Sequence, residues 1–284
     1  MKPRSTYDIC LLSHSCGGLR LVDIPRQTHY PIFSLGCPYT DSFLPNSCPW
    51  EAHLAEHTFE GFTPELVDFL EDLMDHNNRE WFHEHKDLYE VDVRGPALSF
   101  IRAIKPHLHE LSPHFLASDK KVGGSLMRIH RDVRFGKNKK PYKTNVGIQF
   151  RHDMGKDIHA PGFYVHISPS SSFVGVGMWR PDGPTLRKVR DAIVEYTEDW
   201  LAVRDDPTFT EYFRLDGDSL KRAPRGFDKD HECIDDLKRK SFIALQELDE
   251  EELYEDDFVE KVMASFWASA PFMQFLCKAI GVAF

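Results

Sequence analysis

The chain predicts an α+β fold, a single domain with a mainly antiparallel sheet of four to six strands flanked by helices and preceded by an irregular N-terminal leader. Three observations carry that prediction. Apolar residues recur at helical spacing from Phe59 to Leu111, give way past Gly123 and Gly124 to the alternation typical of strands, and return to helical spacing from about Thr185. The segments between the expected strands, HDMGKDIHAPG and SPSSS, are hairpin-like in length. No helix of about ten to fifteen residues intervenes, which disfavours a parallel, doubly wound sheet.

Residues 1–58 form the expected leader: Pro, Ser, Cys and Gly are frequent, and stretches such as HYPIFSLGCPYTDSFLPNSCPW show no helical period. The domain, residues 59–284, opens at FTPELVDFLEDLMDHNN, where Thr63 is a natural N-cap, Pro64 suits the first helical position and Leu66, Phe69, Leu70 and Leu73 share a face. NREWFHEHKDLYE follows an Asn cap with Trp81, Phe82, His85, Leu88 and Tyr89 on a stripe. GPALSFIRAIKPHLHEL restarts at Pro96, and Pro106 is expected to kink or divide it. Strands are expected near Leu126–Ile129, Asn145–Phe150, Phe163–Ile167 and Phe173–Met178, then one helix over Thr185–Trp200, a short helix over Glu232–Arg239 and a strand at SFIALQEL that adds an edge to the sheet. The terminal FVEKVMASFWASAPFMQFLCKAIG reads as a helix pair or a helix kinked around Pro271. The nine Asp and Glu between Glu247 and Glu260 read as a solvated face.

Composition bounds the function. With 284 residues, 41% of them hydrophobic, the chain can bury a large core. It lacks a run of about 18 apolar residues, so no membrane partner is expected. The six cysteines match no metal pattern and no signal peptide is evident; the thiols are read as reduced and the location as cytoplasmic. A net charge of −10 disfavours whole-surface binding to nucleic acid.

Against that acidic background stands RIHRDVRFGKNKKPY, residues 128–142. From Arg128 to Lys143 it carries seven Lys or Arg and one Asp, a charge of +6 that leaves −16 on the rest of the chain. It fits RxxRDxRFxxxKxPY at Arg128, Arg131, Asp132, Arg134, Phe135, Lys139, Pro141 and Tyr142. By that motif, together with GFYVHISPSSSFVGVGMWRPDGPTLRKVRDAI and RAPRGFDKDHECIDDLKRKSF, the chain resembles an uncharacterised bacterial and fungal family, domain of unknown function 2461. The resemblance runs from about Phe59 to the C-terminus and implies a domain without implying an activity, substrate or cofactor.

Guanidinium groups bind carboxylate or phosphate through two parallel hydrogen bonds and lysine adds a movable charge. Arg128, Arg131, Arg134, Lys139 and Lys143 are therefore candidate anion-binding residues, with Asp132 orienting one guanidinium from behind. The expected partner is a phosphate- or carboxylate-bearing small molecule. Two alternatives stand beside it: a nucleic-acid-binding module, and a structural or interaction domain whose Arg/Asp motif is an internal salt-bridge network. His166, which shares a strand face with Tyr164, is a candidate proton-transfer group, as are Tyr142 and His231. No metal is expected, because His83 and His85, like His107 and His109, sit two apart on predicted helices and face apart. Gly175 and Gly177 mark close backbone approach, since no dinucleotide or phosphate-loop motif accompanies them.

Overall fold

The computed structural model describes residues 59–134, 139–154 and 160–284, all within one compact unit. The expected leader, and with it Cys10, Cys16, Cys37 and Cys48, lies outside the described residues, as do Phe135 and Lys137 of the basic motif.

Helix α1 (Pro64–Asp75) starts with proline in its first turn and buries Leu66, Val67, Phe69, Leu70 and Leu73, as the spacing demands. Asn78 accepts the Trp81 N–H at 2.9 Å and starts α2 (Arg79–Glu84). A turn, α3 (Lys86–Leu88), and a π-helical stretch over Tyr89–Arg94 lead into α4 (Gly95–Leu111). Pro106 does not divide α4, because Ile101, Ile104, Leu108 and Leu111 on both sides of it are buried in one core and packing overrides the local penalty.

Among the described residues six strands follow: β1 (Phe115–Leu116), β2 (Val146–His152), β3 (Gly162–Ile167), β4 (Ser172–Met178), β5 (Arg214–Asp216) and β6 (Phe242–Leu248). They form one sheet in the order β1-β2-β3-β4-β6-β5, and every neighbouring pair is antiparallel. Helices flank it, packing on the face that carries Phe150, Phe163 and Phe242. Phe150 meets Phe100 of α4, Phe163 meets Phe266 at 4.4 Å between ring centres, and Phe242 meets Trp200.

Three expectations change. The SFIALQEL strand is interior, between β4 and β5; the edge belongs to the polar three-residue β5, too short for an alternation to register. Leu126–Ile129 makes only an isolated bridge, Leu126 opposite Ile148, because the same side of β2 is shared with β1 farther along, at Arg151 and His152. The expected helix over Thr185–Trp200 is two. Asp182 accepts the Thr185 N–H and starts α5 (Gly183–Glu195), Tyr196 leaves helical geometry at φ −123° and ψ 52°, and α6 (Thr197–Arg204) carries Trp200 into the core.

After α7 (Pro207–Tyr212) comes α8 (Ile234–Leu237), which presents Asp236, 4% exposed. That carboxylate accepts from Trp200 Nε1 at 2.9 Å, Arg204 at 2.8 Å and Arg239 Nε at 3.1 Å. Asp236 and Arg239 of the IDDLKRK stretch are thus architecture. The chain ends in a helix pair, α9 (Phe258–Ala268) and α10 (Ala270–Ile280), joined at Ser269 with Pro271 in the first turn of α10. No helix among the described residues is long and apolar enough to cross a membrane.

Candidate functional site

Because side chains alternate along strands, the core residues of β2, β3, β4 and β6 send their neighbours to the opposite, open face. There the register aligns Gln149, Tyr164, Gly175 and Leu245 in one row and Gly147, His166 and Phe173 in the next. Gly162, Gly177 and Ile243 form a third. Glycine at 162, 175 and 177 leaves the middle of this face without side chains, and a cavity of about 470 Å³ occupies it, walled by Met127, Gln149, Tyr164, His166, Phe173, Trp179 and Leu245 among others. Gly177 holds φ +110°, and a Cβ there would lie 2.1 Å from the Phe242 carbonyl oxygen, so the backbones of β4 and β6 meet as only glycine allows. Just beyond, Arg180 adopts φ 45°, its N–H bonded to Ser241 Oγ at 2.9 Å, and this turn sets Trp179 at the cavity wall, 61% exposed.

Tyr164 Oη and His166 Nδ1 stand 3.2 Å apart. Burial pushes the Tyr164 hydroxyl up to about 12 and lowers the His166 imidazole from 6.5, so at neutral pH both are uncharged. His166 also stacks on Phe173, 4.6 Å between ring centres and 8° from parallel. The pair forms a neutral, orientable patch on an otherwise apolar wall.

The basic motif starts one residue past this cavity's wall, and among the described residues its charged side chains are not part of that wall. Met127 lines it and donates its N–H to Gly147, directly opposite His166; Arg128 is the next residue. From there the chain pairs with its own return, Arg131 N–H to the Pro141 carbonyl and Lys143 N–H to the Ile129 carbonyl, both 2.8 Å. Asn77, after α1, accepts from Tyr142 N–H at 3.0 Å and donates to its carbonyl at 3.2 Å, fastening this ribbon to the helices. The Tyr142 ring is buried and stacked on Phe82 at 4.2 Å.

The structure sorts the motif's charges. Arg134 and Asp132 grip each other, Nε to Oδ1 at 3.0 Å and Nη2 to Oδ2 at 2.7 Å, which holds Asp132 well below the usual carboxylate range. Lys139 donates to the Val133 carbonyl and Lys140 to the Met74 carbonyl. Arg128, Arg131 and Lys143 are different: none forms an ion pair with a carboxylate among the described residues, though the Arg128 charge also acts on Asp132, and Arg131 makes a 3.4 Å bond to the Tyr142 carbonyl. Lys143 is half-buried, and desolvation, then Arg128 and Arg131, lower its pKa. Burial and two neighbouring guanidiniums thus act together against the Lys143 ammonium. His231 is elsewhere, accepting the Cys233 N–H at 3.0 Å and absent from the cavity wall.

With this geometry in view, the comparison with protein families is decisive. The model of the conserved hypothetical protein family DUF2461 matches residues 65–275. The chain belongs to that family. No curated protein matches it. DUF2461 is an uncharacterised conserved family, so no specific function follows from membership. The matched span of this DUF2461 chain includes both the open sheet face and the basic ribbon. Motif reasoning did not reach Asn77, Met127, Gln149, Phe173 and Leu245. Period-two spacing marks the strand residues among them, while Asn77 leaves no signal beyond an Asn after a helix.

Proposed function

We propose that this protein binds a small molecule bearing a phosphate or carboxylate, its anionic group on Arg128, Arg131 and Lys143 and its body in the cavity over Gly175, between His166, Phe173 and Leu245. The observation that supports this most strongly is Lys143, a partly desolvated ammonium whose two cationic neighbours also form no ion pair with a carboxylate among the described residues. The aromatic and aliphatic wall suits a flat or apolar body, while Tyr164, His166 and Gln149 offer a few directional polar contacts, the usual composition of a small-molecule pocket. In this reading Arg134 and Lys139 shape the ribbon and do not hold the ligand, and a cytoplasmic metabolite is the natural ligand class.

Exposed Trp179, with the Arg180 guanidinium 5.3 Å from its ring centre, favours a second reading in which single-stranded nucleic acid stacks along the same face. A thermal-shift screen with pyrophosphate, citrate, sugar phosphates, nucleotides and short oligonucleotides, on wild type and Arg131→Ala, separates the two. Saturable stabilisation by a small anion, lost in a folded Arg131→Ala variant, is the expected result. Stabilisation by oligonucleotides alone, falling steeply with salt, supports the second reading, and no shift with any anion removes both.

A further inference from the structure

At the far end of β2, on the core side of the sheet and apart from the cavity, two histidines and an aspartate converge. We propose that His114, His152 and Asp153 bind a divalent metal ion of the zinc class. His114 Nδ1 stands 2.9 Å from Asp153 Oδ2 and His152 Nδ1 stands 3.1 Å from Asp153 Oδ1, and one ligating atom from each residue falls within 4.8 Å of the other two. A tetrahedral ion with bonds of about 2.0–2.1 Å holds its ligands roughly 3.3 Å apart, so atoms as far as 4.8 Å from one another draw in by up to about 1.5 Å to close on one.

The hydrogen bonds around His152 set its tautomer. Its Nε2 donates to the Ala283 carbonyl at 2.8 Å, and its Nδ1 accepts the Met154 N–H at 3.1 Å. That assignment fixes the tautomer with the single Nδ1 lone pair on the Met154 N–H and Asp153 Oδ1 at 3.1 Å beside it, so an ion on Nδ1 would take the place of that amide hydrogen. A ring nitrogen donating to a backbone carbonyl is also how metal-bound histidines are commonly oriented. The frame is preformed: Asp153 N–H bonds the His114 carbonyl at 2.7 Å, the imidazoles stack 5.4 Å apart and 8° from parallel, and Phe115 packs edge-on against His152. Three protein donors leave one position for water, and oxygen with imidazole ligands suits zinc, cobalt or nickel. The histidine pairs weighed from sequence are not these, because β2 and the turn before β1 bring His114 and His152 together across the fold.

The test is titration of the metal-free full chain with Co²⁺, read by visible absorption and by dialysis equilibrium. His152 is 2% exposed, so the variants are His114→Ala and Asp153→Asn, with Arg128→Gln as a control for the separate anion site. Wild type and Arg128→Gln should each bind one equivalent more than His114→Ala, with visible bands of tetrahedral intensity, and Asp153→Asn should bind at least about tenfold more weakly. No cobalt bound by wild type, or equal binding by wild type and His114→Ala, would overturn the proposal, the latter by placing the metal on cysteine or other histidine residues.

Discussion

Asn77 and Tyr142, 65 positions apart, are joined by two hydrogen bonds, the Asn77 side chain meeting both the N–H and the carbonyl of Tyr142. One amide thus takes the place of a strand partner and ties the basic ribbon to the end of α1. Replacing it with alanine strands both backbone groups of a half-buried segment. Asn77→Ala should lower stability by about 2 kcal/mol, roughly one per bond, and Asn77→Asp, which keeps the acceptor, by about half as much, measured by urea unfolding.

The open-face glycines should respond unequally. A Cβ at Gly177 meets backbone at φ +110°, so Gly177→Ala should cost about 3 kcal/mol or more in the same measurement. At Gly147 the obstacle is Tyr164 Oη, 2.5 Å from the added carbon and at the free end of a side chain that can turn away. Gly147→Ala should cost only about 1 kcal/mol and break the Tyr164–His166 bond, seen as a changed His166 resonance.

How far the sequence reveals the fold is clear from these positions. Leu66, Phe69, Leu70 and Leu73, or Phe163, Val165 and Ile167, declare their element because burial on one face repeats with its period. β5, with only Arg214, Leu215 and Asp216, is held by its neighbour β6 and not by any pattern of its own, and the break at Tyr196 comes from tertiary packing that sends Trp200 inward. The basic motif is conspicuous as a composition. Its division into Arg134, clasped by Asp132, and Arg128, Arg131 and Lys143, without carboxylates among the described residues, depends on side-chain directions that spacing does not encode.

Asp236 is the keystone of the Trp200–Arg204–Arg239 cluster. Its removal leaves a buried indole N–H and a partly buried guanidinium without their acceptor. Asp236→Ala should lower stability by about 3 kcal/mol in chemical denaturation, toward the lower end for a broken buried pair because Arg204 and Arg239 remain partly solvated.

His166 should impose a pH dependence. Its folded pKa lies below 6.5 because burial disfavours the imidazolium, so the unfolded chain takes up the proton first as pH falls. Stability is therefore full above 6.5 and declines as the pH drops from there through the folded value. His166→Gln should flatten that decline in denaturation at a series of pH values, and NMR titration of wild type should place the His166 midpoint below 6.5.

The ammonium at Lys143 should govern ligand affinity at the alkaline end. Its pKa in the free protein lies below 10.5, and a bound anion raises it, so binding should weaken as pH rises through that lowered value. Lys143→Met should bind more weakly at neutral pH and lose this alkaline dependence, measured by calorimetric titration.

Calorimetric titration of wild type, Arg128→Gln and Arg134→Gln decides whether Arg128 and Arg131 with Lys143 receive an anion while Asp132 occupies Arg134. Pyrophosphate is the first probe, followed by whichever anion gives the largest thermal shift. Saturable binding to wild type is expected, weakened at least about tenfold in Arg128→Gln and nearly unchanged in Arg134→Gln. Equal loss in the two variants, or no binding of any tested anion to wild type, would contradict it.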